Sequence, residues 1–182
     1  SYRPTDSIIV PRHSSENRAY IPIGYLGPDT VISDGANAIY DAEPWLFALL
    51  TSRMHTVWVR AVGGKIKTDY RYSNTIVYNN FPVSEIADNQ KAQLTETALR
   101  ILDVREYHCE RTLAELYDRD SMPRNLREAH EANDALVDSL YSPKPYVSDE
   151  DRLADLFGLY EEMIAAVEAA KPAKRQRKTV KK

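Results

Sequence analysis

The spacing of the apolar residues changes near residue 43, and this change limits the folds available to the chain. From Glu43 through Val62 the apolar side chains recur three or four residues apart, which is typical of one face of an α-helix. Pro44 suits the first turn of this helix, and Gly63–Gly64 suits its end. Before the helix, β-branched or aromatic runs separated by glycine and proline predict strands at Ser7–Val10, Ala19–Ile23 and Thr30–Ser33.

The rest of the chain also contains strand and helix patterns. Lys65–Tyr72 and Asn74–Phe81 have strand character, whereas helical spacing returns beyond Pro82 in three apolar stripes. We therefore predict an α+β fold. A small mixed β-sheet domain with one buried helix (1–83) precedes an all-α helical domain (84–170) and a disordered basic tail (171–182).

The net charge of −3 conceals three regions of different charge. Residues 1–82 carry 8 basic and 7 acidic side chains (net +1), and residues 83–170 carry 9 and 20 (net −11). Residues 171–182 carry 7 and 0 (net +7). A single cysteine, Cys109, excludes a disulfide framework and indicates a cytoplasmic protein. No apolar run predicts a membrane helix, and a start without Met or a signal peptide indicates a piece of a longer protein.

No pattern typical of an enzyme or a metal centre is found. GxGxxG, P-loop and GxSxG motifs are all missing from the sequence. His108 and Cys109 are adjacent but have no second pair of ligands nearby, which argues against zinc. We expect no catalytic site, no metal and no cofactor in this chain.

Three charged residues alternate after the double glycine. Lys67, Asp69 and Arg71 would share one face of an extended strand. One interpretation is an exposed strand on which opposite charges pair weakly. The other is a reader of base edges in the DNA major groove, where guanine offers acceptors and cytosine an amino donor. Lys67 would then donate to guanine, Asp69 would accept from cytosine, and Arg71 would contact a neighbouring purine.

The residues around this row have the donors that DNA phosphates accept. Lys65, Ser73, Asn79 and Asn80 are therefore candidates for contacts to the DNA backbone. A tight turn at Gly63–Gly64 would let the protein backbone approach the sugar-phosphate chain.

Long blocks of the sequence resemble a known family. The segments "YIPIGYL", "ISDGANAIYDAEPWLFALLTSRMHTVWVRAVGGKIKTDYRYS" and "VYNNFP" resemble the target recognition domain of MmeI-like restriction–modification proteins. The segments "LAELYDRDSMPRNLREAHEANDALVDSLY" and "DEDRLADLFGLYEEM" are similar to the helical domain of the same proteins. Those type II enzymes join an endonuclease, an S-adenosylmethionine-dependent adenine-N6 methyltransferase and a DNA-reading domain in one chain.

The resemblance implies a role in bacterial defence that the residues alone do not give. It implies that the partners are double-stranded DNA and the methyltransferase domain of a parent chain, which would bind S-adenosylmethionine elsewhere. It also implies that base preference is set at Lys67, Asp69 and Arg71, with G favoured at one base pair, and that Gly35 or its neighbours supply another contact. The acidic helical region would brace the sheet or clamp the far side of the duplex, and the basic tail would add nonspecific affinity or solubility. An alternative is a protein-interaction module that docks onto a methyltransferase or another defence protein without reading DNA.

Overall fold

The computed structural model describes residues 3–170, apart from the side chain of Ile66. Its first half contains two three-stranded antiparallel sheets, ordered β3-β1-β4 and β2-β6-β5. The strands are β1 (Ser7–Pro11), β2 (His13–Ser15), β3 (Gly24–Leu26), β4 (Ala36–Tyr40), β5 (Gly64–Ile66) and β6 (Asp69–Arg71).

Helices make up the rest of the described chain. They are α1 (Pro44–Leu50), α2 (Arg53–Val62), a π-helical turn (Asn74–Tyr78), α3 (Asp88–Tyr107), α4 (Leu113–Leu116), α5 (Arg124–Asp138) and α6 (Asp149–Ala169). The predicted α+β class is confirmed. The two sheets are antiparallel rather than mixed, and the predicted basic tail at 171–182 lies outside the described residues.

The helix predicted from Glu43 to Val62 is two helices, α1 and α2. The Ser52 hydroxyl donates to the carbonyl of Leu49 and accepts from the backbone N–H of His55. A serine that bonds to the backbone in this way competes with a continuous helix and favours an N-cap. The apolar spacing continues across this break because both helices face the same core.

Three predicted strands are wrong. Asn74–Phe81 begins as a π-helical turn, because Ser73 caps it and the Asn80 amide donates to the carbonyls of Thr75 and Ile76 at 2.8 and 3.0 Å. These local bonds give the backbone an alternative to a sheet. Residues 19–23 and 30–33 are irregular and pair with neither sheet.

One hydrophobic core joins the two halves of the chain. Phe47 and Trp58 of the first half and Ile101 and Leu156 of the second belong to the same buried cluster, and none is more than 1% exposed. Helix α1 packs on α3 and α5, and α2 packs on α6. The position of the sheets therefore depends on the helices that follow them, whatever boundary the sequence suggests.

Buried polar contacts also connect the two halves of the chain. The Asp134 carboxylate accepts from the Tyr20 hydroxyl at 2.7 Å and from the backbone N–H of Arg53 at 2.6 Å. The Arg53 guanidinium in turn pairs with Asp149 at the start of α6. The Ser148 hydroxyl caps that helix by accepting from the backbone N–H of Asp151. Within residues 3–170, no helix is long and apolar enough to cross a membrane.

Candidate nucleic-acid interface

A β-hairpin carries the charged row. Strands β5 and β6 pair with Ile66 opposite Asp69, so Lys67 and Thr68 form a two-residue turn. Lys67 has a φ of 56°, the left-handed conformation that a tight hairpin turn uses at its first position. The prediction that Lys67 shares a strand with Asp69 and Arg71 is therefore wrong. Only Asp69 and Arg71 lie in β6, whereas Lys67 lies in the turn between β5 and β6.

The hairpin exposes its charges and turns its tyrosines inward. Side chains alternate along a strand, which places Asp69 and Arg71 on one face and Tyr70 on the other. Lys67, Asp69 and Arg71 are all exposed. Tyr72, just beyond the strand, is buried. The three predicted base-reading side chains are thus open to an external partner.

These three charges are not engaged with other charged groups of the described chain. Within residues 3–170, no ion pair joins Lys67, Asp69 or Arg71 to any side chain of opposite charge. Ion pairing between these exposed charges therefore contributes nothing to the stability of the hairpin.

Lys65, a predicted backbone contact, lies on the opposite face. It is paired across the hairpin with Tyr70, and cross-strand partners point the same way. Its ammonium lies 5.0 Å from the Tyr70 ring centroid and 3.3 Å from a carboxylate oxygen of Glu16. The structure does not place it beside Asp69 and Arg71.

The other predicted backbone contacts divide between two places. Ser73 borders the same groove as Arg71. Asn79 and Asn80 line a different groove of about 340 Å³, together with apolar residues of α6. The Asn80 amide is already occupied by two carbonyls of the π-helical turn. Of this set, the structure brings only Ser73 together with the charged row.

Buried contacts hold the hairpin on α2. The Tyr72 hydroxyl donates to Nε2 of His55 at 3.2 Å, and Nδ1 of His55 donates to the carbonyl of Leu50 at 2.7 Å. A Cβ on Gly63 would lie 2.4 Å from the carbonyl oxygen of Val59, so glycine is required where the helix meets the sheet. Gly63 therefore serves this close packing, whereas a Cβ on Gly64 would meet nothing within 4 Å.

The His55 anchor makes folding sensitive to acid. Its ring is fully buried, and burial lowers its pKa from 6.5 to about 4. The unfolded chain binds a proton near pH 6.5 while the folded chain does not, so this stability is lost as the pH falls from 6.5 towards 4. We expect the His55 contribution to decrease by about 2 kcal/mol between pH 7 and pH 5.

Urea unfolding of wild type and His55→Gln at both pH values measures this effect. Glutamine keeps a donor for Leu50 and an acceptor for Tyr72, but it does not titrate. Burial also raises the pKa of Asp134 to about 6. The effect of this group on folding stability is opposite to that of His55, because the contribution of Asp134 to stability decreases as the pH rises. The difference between the two proteins isolates His55. Equal pH dependence in both would show that His55 is not the source.

A polar groove adjoins the outer face of the hairpin. It has a volume of about 520 Å³ and lies where the two sheets meet; we call it the inter-sheet groove. Its lining residues are Arg12, His13, Asn37, Arg71, Tyr72, Ser73, Asn74 and Thr75. Strand register explains part of the arrangement, because His13 is paired with Arg71 and both side chains lie on the same face.

The sequence did not single out Arg12 or His13, whereas Asn37 is one of the neighbours of Gly35 for which the resemblance implied a further contact. Arg12 and His13 follow a short apolar strand, a pattern common to many surface turns. Their proximity to Arg71 arises from pairing between strands that are more than 50 residues apart. No local signal carries that information.

No metal-binding cluster is found in the described part of the chain. Among residues 3–170, no group of three His, Cys, Asp or Glu side chains is placed to hold an ion. His108 instead lies 3.0 Å from the amide oxygen of Asn125.

Two family models match the sequence along most of its length. The model described as the MmeI target recognition domain matches residues 1–85. The model described as the MmeI C-terminal domain matches residues 86–168.

A curated relative and a solved structure agree with these models. "DNA methyltransferase A" of Bacillus subtilis (strain 168) is 50% identical over 157 residues, which is 86% of this chain and 18% of that protein. A structure of the Type IIL restriction–modification enzyme MmeI in complex with DNA superimposes with a TM-score of 0.86 and 40% identity. The match covers 91% of this chain and 22% of that one, so the chain spans about a fifth of each relative.

Proposed function

This chain belongs to the MmeI family, and on that premise we propose that it reads the sequence of double-stranded DNA for a DNA methyltransferase. The observation that supports this most directly is the exposed row on the hairpin. Lys67, Asp69 and Arg71 point outward, and none has an ion-pair partner among residues 3–170. Two cations and one anion so arranged suit the donors and acceptors of base edges better than a uniform field of phosphates.

In this proposal the two residues nearest the hairpin turn read one base pair. Lys67 donates to O6 and N7 of a guanine, and Asp69 accepts from the N4 amino group of the paired cytosine. An aspartate that faced DNA without such a donor would only be repelled by phosphates. Arg71 contacts a neighbouring purine. The pair Lys67 and Asp69 thus selects G·C at one position of the site.

The chemical step belongs to another part of the proposed parent protein. We propose that this part is an adenine-N6 methyltransferase that uses S-adenosylmethionine, in a bacterial restriction–modification system. The similarity to a DNA methyltransferase supports the transferase class, and the resemblance of the sequence blocks supports the adenine chemistry. A nuclease in the same protein is part of the proposal on the same ground.

Sequencing that detects methylated bases tests the function. The protein expressed from the complete natural gene should methylate adenine within one defined sequence of a host genome that lacks other methyltransferases. Duplexes containing that sequence should also compete for binding far better than scrambled duplexes of the same composition. No methylated motif, or equal competition by the scrambled duplexes, would contradict the proposal.

One observation favours the alternative of a protein-docking module. Helix α6 exposes apolar side chains along its second half, and Val167 is 62% exposed. Exposed apolar side chains that cluster on one face are a feature of surfaces that contact other proteins. The face comprises Phe157, Met163, Ile164 and Val167, which are at least 40% exposed. If docking were the whole function, a pull-down would recover a protein partner and site-containing DNA would have no advantage over scrambled DNA.

A further inference from the structure

We propose that the inter-sheet groove binds one backbone phosphate of the DNA, with Arg12 as its principal ligand. This site rests on the proposed function, and it adds a contact that fixes the position of the hairpin without reading a base. A phosphate contact of this kind sets the register in which neighbouring side chains meet base edges.

The charge of the groove favours an anion. Arg12, His13 and Arg71 line it, and no aspartate or glutamate is among the lining residues. The Arg12 side chain is exposed and, within residues 3–170, has no ion-pair partner. Two guanidinium groups around one small groove repel each other until an anion neutralises them. A phosphate oxygen is the anion that a DNA-facing groove meets.

The backbone around Arg12 is fixed in place. The N–H of Tyr72 donates to the carbonyl of Arg12 at 2.9 Å, which ties the β1–β2 connection to the end of β6. Tyr72 is itself anchored in the core through His55. The backbone that carries Arg12 is thus held beside Arg71, and a guanidinium can bind a phosphate through two parallel N–H groups.

A buried donor in the same groove lacks an acceptor. The amide nitrogen of Asn37, on β4, is buried and has no hydrogen-bond partner within residues 3–170. A buried donor left unsatisfied costs about 1–3 kcal/mol, so such groups normally have a ligand or water. A phosphate in the inter-sheet groove would offer an oxygen to this donor as well as to Arg12.

A second polar groove differs from the inter-sheet groove in its charge. It has a similar volume of about 490 Å³ and also contains arginines, Arg18 and Arg119. Asp118 and Asp120 line it too, and these carboxylates would repel a phosphate. This groove therefore supplies a matched control on the same protein.

The test measures duplex binding by the protein expressed from its complete natural gene, over a series of salt concentrations. Arg12→Gln should weaken binding roughly tenfold for the cognate duplex and for a scrambled duplex alike, because a charge-assisted hydrogen bond to phosphate is lost. The slope of log K against log salt should become shallower by about 0.9, the value for one phosphate contact. Arg119→Gln, in the second groove, should change neither quantity.

A second variant tests the groove without removing a cation. Asn37→Asp keeps the side-chain shape but places a carboxylate against the bound phosphate, so it should weaken binding to both duplexes at least as much as Arg12→Gln. Asn37→Ser should have a smaller effect. Thermal unfolding of each variant checks that the fold is kept.

The outcomes separate this proposal from the function it rests on. Wild-type affinity and salt slope in both Arg12→Gln and Asn37→Asp would overturn the phosphate site, even if the protein still prefers its own sequence. A loss confined to the cognate duplex would make Arg12 a base reader and would also overturn it. A wild-type protein with no preference between the two duplexes would instead refute the proposed function.

Discussion

Lys67→Glu combined with Asp69→Arg is expected to change the base pair that the protein requires at one position of its site. The double change places an acceptor where the donor stood and a donor where the acceptor stood. The preferred pair should therefore become C·G in place of G·C. Each good pairing of this kind discriminates by about 1–3 kcal/mol, so the preference should shift by roughly 5-fold to 150-fold.

Methylation mapping of genomic DNA measures this change directly. The control is Lys65→Glu with Glu16→Lys, which reverses an ion pair on the other face of the same hairpin. That control should leave the methylated sequence as it was. An unchanged sequence in the Lys67 and Asp69 variant would show that these residues do not read bases.

Trp58→Ala is expected to destabilise the protein by about 3–5 kcal/mol, the cost of removing a large aromatic side chain from a packed core. Trp58 is 1% exposed, and its indole N–H donates to the carbonyl of Val77 at 3.1 Å. Its ring centroid lies 5.6 Å from those of Phe157 and Tyr160. The loss therefore affects α2, the π-helical turn and α6 together.

Urea unfolding followed by circular dichroism provides the measurement. Trp45→Ala is the matched control, since Trp45 is only partly buried and donates to the exposed Glu43 side chain at 2.7 Å. The control should cost about 1 kcal/mol. A similar small loss for Trp58→Ala would mean that α2 and α6 are not joined through this side chain.

The helices of the second half could be predicted because their signals are local. The three apolar stripes beyond Pro82 correspond to α3, α5 and α6. Residues three or four positions apart lie on one face of a helix, so the pattern can be recognised within a short stretch of sequence. The shared face of Asp69 and Arg71 followed from strand alternation, whereas Lys67 lies in the hairpin turn, which the alternation did not predict.

The sequence-based predictions are wrong where the local structure depends on residues distant in the chain or on hydrogen bonds of hydroxyl and amide side chains. The runs at 19–23 and 30–33 have strand composition, but the structure pairs them with neither sheet, and whether a run pairs depends on partners elsewhere in the chain. Ser52 and Ser73 redirect the backbone through single hydrogen bonds that apolar spacing does not reveal. The inter-sheet groove depends on the register between β2 and β6, which no window of the sequence contains.

The shared core has a consequence for anyone who wishes to re-engineer this protein. A chimaera cut near residue 85 would separate Phe47 and Trp58 from Ile101 and Leu156, which lie in one buried cluster. Two halves taken from different proteins would then have to pack their core side chains against each other without voids or clashes. Grafting should succeed when only the outward-facing residues of the hairpin are exchanged, and transplants of the first half alone should aggregate or fail to accumulate.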